Sequence, residues 1–401
     1  MSAAIPGSGD GPRDAGAFAP SLVAELALAR PATPVLSAYV RTDPRDPANT
    51  NHVPGWLVEL RNGLRTISDR LDRDGPRSER LAYRGLRTAV EADIVELEPS
   101  ERARGVAWFR AVDGTIDRRL RLQLPPRDTS VRWDARPFVS PLADVADRGR
   151  ATGLVLVAQD RVRLLHWEAG LVSEPHRSLY ELELGDWREY AAYAMANPAR
   201  GQQTATNTAV YDARVEEWQG RFLRETAKAT TSRIGELGWG RLVLAGDLTL
   251  VEAFADALPP DVGDRVVARV AANLLAEDAP VVADRLEAEL EATWRAEADD
   301  AVARAVGAAR AAGPGATGLA EVADALAQHR VEHLVLDPLC AFDPAGIPPT
   351  AWAALGGAPA ELVAERAVEL AIASGAGVTA LAAAESERLQ EAGGMVAALR
   401  F

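Results

Sequence analysis

The 401-residue sequence is poor in cysteine and lysine. It has one cysteine, Cys340, and therefore cannot form an intramolecular disulfide, which fits a reducing cytoplasm. A single cysteine also cannot complete a structural zinc site. Its only lysine is Lys228, so the basic residues are almost all arginine. No window is long and apolar enough to span a bilayer. We therefore expect a cytoplasmic protein with no membrane partner.

What the sequence does have is the composition of a folded protein. Hydrophobic residues make up 48% and charged residues 25% of the chain, and the length suits two or three domains. The net charge is -14, so the surface as a whole repels phosphate. A nucleic-acid partner would need a local basic face. The preference for arginine, together with alanine-rich tracts, is typical of a GC-rich genome.

Local patterns predict an α/β protein of three domains behind a tail. Residues 1–17 lack an apolar period, a basic start and the apolar stretch of a signal peptide, so they are predicted to be disordered. Mixed α/β domains are predicted at 18–148 and 149–277, and an α/β/α sandwich at 278–401. Strands that alternate with helices indicate layered α/β structure.

The predicted elements follow from the period of the apolar residues. In the first domain they are a strand at Pro34–Val40, helices at Gly55–Leu71 and Glu79–Leu97, and a hairpin around Asp113-Gly114. In the second they are strands at Leu154–Ala158, Val162–Trp167, Arg241–Ala245 and Arg265–Val270, a long helix after Gln203 and a helix at Leu248–Ala257. In the third they are a helical stripe from Val282 to Val306, helices at Gly318–His329 and Ala360–Ser374, and strands at His333–Leu336, Val378–Leu381 and Met395–Leu399.

The common catalytic motifs are absent. There is no phosphate-binding loop of the G-x-x-x-x-G-K-[ST] type and no G-x-S-x-G turn. His329 and His333 have a spacing that can bind zinc, but a polar pair at a helix end explains them better. His166 is interpreted as a packed or half-exposed histidine within a strand. We expect no metal and no cofactor.

One polar loop stands out, at Asn197-Pro198-Ala199-Arg200-Gly201-Gln202-Gln203-Thr204-Ala205. Gly201 lets the backbone take positive φ and approach a partner closely. The two glutamines provide uncharged donors and acceptors. The basic residues of the following helix are Arg214, Arg221, Arg224, Lys228 and Arg233. From Asn197 to Arg233 there are six basic and four acidic residues, so this region could face RNA. An ordinary surface loop with a salt-bridged helix face is the alternative from the residues alone.

The order of these segments resembles the archaeal and eukaryotic class-one release-factor superfamily, to which Pelota also belongs. The superfamily has a Gly-Gly-Gln loop before a basic helix, which Gly201-Gln202-Gln203 matches except at Gln202. The Vms-like branch has Gly-x-Gln, and this chain resembles its bacterial members. The end of the chain, Gly393-Gly394 followed by Met395–Phe401, resembles the superfamily's third-domain signature. Arg265–Val270 resembles the strand that closes the middle domain.

The resemblance implies a ribosome-binding protein that hydrolyses the ester of peptidyl-tRNA. Gln203 would be the catalytic residue and Gly201 would allow close approach, with Gln202 in place of a glycine. RNA contacts would come from Arg200, Thr204, Arg214, Arg221, Arg224 and Lys228, which would bind rRNA or tRNA. The third domain would recruit a translational GTPase such as elongation factor Tu. This fits the net charge of -3 over Val281–Arg310, which makes that helix a poor RNA ligand.

The sequence also departs from the superfamily. No Asn-Ile-Lys-Ser loop is present in Ser21–Ala146, a segment that has no lysine, so stop-codon reading is not expected. Two alternatives to hydrolysis stay open. One is a non-catalytic hibernation or rescue factor of the Balon type, bound in the ribosomal A site. The other is a stress protein that does not bind ribosomes.

Overall fold

The computed structural model describes residues 16–96, 103–182, 204–344, 346–382 and 385–401. The chain divides into two compact units. One combines Met1–Arg148 (the N-terminal segment) with Glu297–Phe401 (the C-terminal segment), and the other is Gly149–Ala296 (the middle unit). The change at Arg148 falls where the sequence predicts the end of the first domain. The division into three separate domains stays a prediction.

The N-terminal segment contains a five-stranded sheet. Its strands are β1 Gly16–Ala17, β2 Val35–Val40, β3 Gly105–Ala111, β4 Asp117–Leu122 and β5 Ser130–Asp134. They lie in the order β1-β4-β3-β2-β5, with β1 parallel to β4 and the other neighbours antiparallel. The predicted hairpin is β3 and β4, and Gly114 takes the positive φ of 73° at its turn. Gly16 and Ala17, assigned to the tail from sequence, instead form β1.

Helices cover this sheet because their apolar residues recur every three or four positions. The helices are α1 Ser21–Leu28, α2 Gly55–Asp74, α3 Arg77–Glu96 and α4 Ser140–Arg148, with a 3₁₀ turn at Pro47–Thr50. The buried stripe of α2 consists of Trp56, Leu60, Leu64, Ile67 and Leu71. Pro141 lies in the first turn of α4, where its missing N–H costs no helical hydrogen bond.

The middle unit is built on a mixed sheet. Its strands are β6 Thr152–Val157, β7 Arg161–Glu168, β8 Leu171–Ser173, β9 Leu179–Glu181, β10 Arg241–Gly246 and β11 Val266–Ala271. The order is β11-β10-β6-β7-β8, and β9 also pairs with β7. β10 is parallel to both β6 and β11, whereas β7 is antiparallel to β6, β8 and β9. The helices are α5 Thr204–Leu237, α6 Leu248–Asp256, α7 Pro260–Gly263 and the first part of α8 Ala279–Arg310.

Alternate residues of these strands point to opposite faces of the sheet, and each face has its own core. One face packs on α5 and α6 in a cluster that includes Val155, Val157, Leu164, Phe222, Ala227, Val251 and Phe254. The other packs on the start of α8 in a cluster that includes Leu154, Leu156, Leu165, Val243, Val282, Leu286 and Leu290. The sheet therefore lies between two helical layers, which explains why its strands are almost continuously apolar.

The C-terminal segment contains a four-stranded sheet. Its strands are β12 Gly315–Thr317, β13 Val331–Leu336, β14 Gly377–Ala380 and β15 Met395–Leu399, and its helices after α8 are α9 Gly318–Ala327, α10 Pro349–Ala354, α11 Val363–Ala373 and α12 Glu387–Glu391, with a 3₁₀ turn at Ala360–Leu362. The order is β12-β15-β13-β14, with β13 parallel to β14 and β15 antiparallel to both neighbours. The predicted mixed α/β class is confirmed. The sequence patterns missed β12 and α10, both of which lie in glycine- and proline-rich stretches.

The N-terminal and C-terminal segments are joined by helix α1 packing on α11 and by helix α4 packing on β14. A hydrogen-bonded chain crosses the second contact. The Thr379 hydroxyl donates to Asp147 Oδ2 at 2.8 Å and also lies 2.9 Å from His333 Nε2. Both Thr379 and Asp147 are buried. In the part of the chain that the structure describes, no helix is long and apolar enough to cross a membrane.

We predict that Gly246→Ala destabilises the middle unit. A Cβ at this position would lie 2.2 Å from the carbonyl oxygen of Val157 on the paired strand, and the φ of Gly246 is 156°. The backbone must move to relieve this contact, at a cost of about 2 kcal/mol or more. Chemical denaturation measures the change. Gly240→Ala is the control, because its Cβ would meet nothing within 4 Å. Equal stabilities of the two variants would contradict the prediction.

Candidate functional site

The helix that follows the polar loop can be described, whereas the loop itself cannot. Arg200, Gly201, Gln202 and Gln203 lie outside the described residues. Helix α5 begins at Thr204, the next residue along the chain. Thr204 and Arg214 lie within this helix, and the description of side chains begins at Glu217. The candidate site therefore consists of the described turns of α5 and the sheet that supports them.

Helix α5 is anchored on the sheet of the middle unit by an apolar face. Its buried side chains include Phe222, Leu223, Ala227 and Ile234. Thr226 and Thr230 are buried as well, and their hydroxyls donate to carbonyls one turn earlier at 2.9 Å. Those hydrogen bonds satisfy the buried hydroxyls without a partner from another element. The packed face fixes which side of the helix points to solvent.

The solvent-facing side of α5 presents three cations. Arg221, Arg224 and Lys228 are exposed. Their separations of three and four residues place them on one side of the helix, about 10 Å apart from first to last. Glu217 and Glu225 are exposed too, so this surface is only modestly positive. The structure thus presents three of the predicted RNA-binding side chains to solvent on a single surface, which we call the cationic stripe (Arg221, Arg224 and Lys228).

Arg233 was counted with these basic residues from sequence, but it is engaged inside the middle unit. Its guanidinium donates to the carbonyl oxygen of His176 at 2.5 Å and to Glu236 at 2.6 Å. Hydrogen bonds to Tyr180 and Glu236 raise the pKa of the Arg233 side chain above its usual value. These contacts attach the end of α5 to the segment before β9. The side chain of Arg233 therefore holds α5 to the segment before β9 and is not part of the cationic stripe.

The histidines have structural positions. The indole Nε1 of Trp239 donates to His166 Nδ1 at 2.8 Å, and the two rings are stacked. His329 follows α9 with a φ of 55°, and His333 lies in β13. Within the described ranges, no group of three or more histidine, cysteine, aspartate or glutamate side chains is arranged to hold a metal ion.

Sequence reasoning did not single out Glu365, although it is the most unusual acid in the described structure. It is 5% exposed and lies on α11 among buried apolar residues. The apolar residues of α11 recur at Val363, Ala367 and Ala371, and this pattern continues past Glu365 and Glu369. Two acids four residues apart within such a run are the signal that could have drawn attention to them.

One part of the chain matches a known protein family. Residues 137–291 match the family described as Bacterial archaeo-eukaryotic release factor family 10. This range spans the sheet of the middle unit, the polar loop, α5 and the start of α8. Over these residues the chain is similar to the bacterial archaeo-eukaryotic release factors. The resemblance to release factors that the sequence predicted is confirmed over residues 137–291.

The chain also matches several solved structures at low identity. The archaeal translation termination factor aRF1 is 17% identical, covers 96% of this chain and 99% of its own, and has a TM-score of 0.25. Pelota of Archaeoglobus fulgidus is 14% identical over 74% of this chain and 79% of its own, with a TM-score of 0.33. Dom34 of S. cerevisiae is 9% identical over 74% of this chain and 79% of its own, with a TM-score of 0.39. No curated protein matches. No functional conclusion rests on these distant likenesses.

We predict that the cationic stripe contributes little to folding. Replacement of Arg221, Arg224 and Lys228 by alanine should change the free energy of unfolding by no more than about 0.5 kcal/mol per residue, because the side chains are exposed. Phe222→Ala, on the buried face of the same helix, should cost about 3 kcal/mol or more. Denaturant unfolding compares them. A large loss in the triple variant would show that the stripe is structural.

Proposed function

We propose that this protein is a ribosome-associated factor that hydrolyses the ester of peptidyl-tRNA on stalled ribosomes or large subunits, without decoding stop codons. The family match over residues 137–291 carries this proposal. It includes the Gly201-Gln202-Gln203 loop and the helix that follows it directly. The proposal fits a role in translation quality control, since the N-terminal segment has no lysine for an Asn-Ile-Lys-Ser motif.

The proposed chemistry uses positioning and hydrogen-bond donors. Water attacks the ester carbonyl carbon, the carbonyl oxygen becomes an oxyanion, and the bond to the tRNA ribose oxygen breaks as that oxygen gains a proton. Gln203 would orient the water and donate to the oxyanion, and Gly201 would let the backbone approach. Preorganised donors of this kind contribute several kcal/mol to such a step. A neutral side chain can do this at any physiological pH.

RNA contact would come from the loop and from the cationic stripe. Arg200 and Thr204 flank the glutamines, and Arg214 lies two helical turns before Arg221. Exposed arginine and lysine side chains bind phosphate and release counterions, which makes the affinity depend on salt. Because the whole chain carries a net charge of -14, the surfaces away from this region would repel RNA. This helps to orient the loop end of α5 towards the ribosome.

The second candidate function is a hibernation or rescue factor of the Balon type that occupies the A site without catalysis. The observation in its favour is Gln202, which replaces the middle glycine of the Gly-Gly-Gln motif. The resemblance to release factors also implies a GTPase partner for the third domain. We infer that the C-terminal segment of this chain recruits a translational GTPase, for which elongation factor Tu is the first to be tested.

We predict that the wild-type protein releases peptide from ribosomes or large subunits that carry peptidyl-tRNA. Gln203→Ala should slow release by roughly 10²–10³-fold, because it removes a donor to the oxyanion. Gln202→Gly is the companion variant, and it should release at least as fast as the wild type. Peptide released under single-turnover conditions is the measurement. No release by the wild type, or equal release by Gln203→Ala, would remove the catalytic proposal.

Ribosome binding gives a separate prediction. The triple alanine variant of the cationic stripe should pellet with ribosomes less well than the wild type. Its plot of log affinity against log salt should be shallower by about 2, since each lost phosphate contact removes roughly 0.7–0.9 from the slope. Ser232→Ala, an exposed uncharged position on the same helix, is the control. Binding without peptide release would favour the hibernation role, and no binding in any growth phase would favour a stress protein that acts away from ribosomes.

A further inference from the structure

Helix α4 of the N-terminal segment begins on a carboxyl group that belongs to the C-terminal segment. The backbone N–H of Val139 donates to Glu365 Oε1 at 2.6 Å, and the N–H of Ser140 donates to Oε2 at 3.3 Å. The Ser140 hydroxyl also donates to Oε2. The first N–H groups of a helix have no partner within it, and a carboxylate satisfies them while interacting favourably with the helix dipole. Glu365 therefore caps a helix that lies 225 positions away in sequence.

Two ion pairs also cross this contact between the N-terminal and C-terminal segments, which we call the joint. Arg366 lies 2.5 Å from Asp134, and Arg136 lies 2.6 Å from Glu369. Arg366 also pairs with Glu369 on its own helix. These four charged side chains pair with one another. The hydrogen-bond partners of Glu365 are neutral groups, namely two backbone amides and a hydroxyl. Its carboxylate is held by hydrogen bonds in a buried place, and no ion pair to it is present among the described residues.

Burial raises the pKa of Glu365 to about 7, an effect that the hydrogen bonds from Ser140 and Val139 oppose and the charge of Glu369 adds to. Burial likewise raises the pKa of Tyr39 well above its ordinary value, and the charge of Glu365 contributes. The titratable and charged groups around this carboxyl come from β2, from the segment 130–136, from the end of α1 and from α11 with the turn before it. They are Tyr39, Arg132, Asp134, Arg136, Arg30, Glu361, Arg366 and Glu369.

A small cavity gives this carboxyl access to water. It has a volume of about 10 Å³, and its lining includes Ser140, Glu365, Phe138 and Pro338. A volume of this size is close to what one water molecule needs. Both segments contribute to the lining, because Ser140 and Phe138 precede or begin α4 and Pro338 follows β13. The cavity therefore leaves room for about one water molecule beside Glu365.

The direction of the pH effect follows from linkage. When the two segments separate, Glu365 returns to water and to its ordinary pKa of 4.5, whereas in the joined state its pKa is about 7. The joined state thus binds the proton more tightly. Joining is favoured as the pH falls from 7 towards 4.5, weakens as the pH rises through that window, and stays constant above it.

We propose that Glu365 and the first turn of α4 form a proton-controlled latch, which holds the N-terminal and C-terminal segments together more tightly in mild acid than in neutral or alkaline solution. This latch is independent of peptide release, since it lies outside residues 149–296. It provides the chain with two states of one joint, the joined and the separated, whose balance a single proton shifts.

Hydrogen exchange of the Val139 and Ser140 amides in the full-length protein tests the latch. Protection factors, with the intrinsic exchange rate divided out, should rise by roughly tenfold or more as the pH falls from 8 to 5.5. Glu365→Gln keeps the size and hydrogen-bonding oxygen of the side chain but cannot titrate. Its protection factors should be independent of pH over this range. A flat profile for the wild type, or an unchanged slope in Glu365→Gln, would overturn the latch.

Two other variants guard against misfolding and against general charge effects. Ser140→Ala removes a hydrogen bond that lowers the pKa of Glu365, so the midpoint of its profile should move to higher pH. Glu361→Gln removes an exposed carboxyl on the rim of the same cavity, and its profile should match the wild type. If Glu365→Gln does not fold, an unmoved midpoint in Ser140→Ala overturns the proposal. A slope lost in Glu361→Gln would assign the titration to the rim instead.

Discussion

A buried helix must find acceptors for its first N–H groups, and this requirement ties the two ends of the chain together. Helix α4 begins in the interior, with Ser140 only 4% exposed, so bulk water does not surround those groups. An unpaired buried donor costs about 1–3 kcal/mol. Without Glu365, the N–H groups of Val139 and Ser140 would be two such donors. Glu365 supplies the acceptors from the far end of the sequence. The N-terminal and C-terminal segments consequently depend on each other for a satisfied interior.

The residues of this joint lie outside the middle unit. Residues 149–296 stand in sequence between two segments that are built as one compact unit, and they have cores of their own on both faces of their sheet. The family match covers this whole stretch except for its last residues. The cationic stripe thus belongs to a unit that has hydrophobic cores of its own. The proposed catalysis or RNA binding and the proposed pH response depend on different residues, so separate variants can test them.

The period of the apolar residues predicted the helices and strands whose buried positions repeat along the chain. It failed for features that depend on a contact with a distant segment. The stripe of α2 and the alternating hairpin β3–β4 were predictable because the buried positions repeat along the chain. Helix α4 was missed because its prolines look like breakers until the capped first turn is seen. The exposure of Arg221, Arg224 and Lys228 followed from helical spacing, whereas the engagement of Arg233 with His176 depended on a neighbouring segment. Glu365 could not be paired with Val139 from sequence, because 226 positions separate them.

The substitution at Gln202 can be weighed in free energy. If the loop needs a left-handed backbone at that position, a residue with a Cβ costs about 1–2 kcal/mol relative to glycine. The loss of one oxyanion donor costs about 3–4 kcal/mol in comparable hydrolytic sites. The penalty for Gln202 is therefore smaller than the contribution expected of Gln203. It would slow a catalytic loop by roughly tenfold rather than abolish its activity. Gln202 alone is thus a weak argument against hydrolysis, and the choice between release and hibernation depends on what Gln203 does when it reaches the ester.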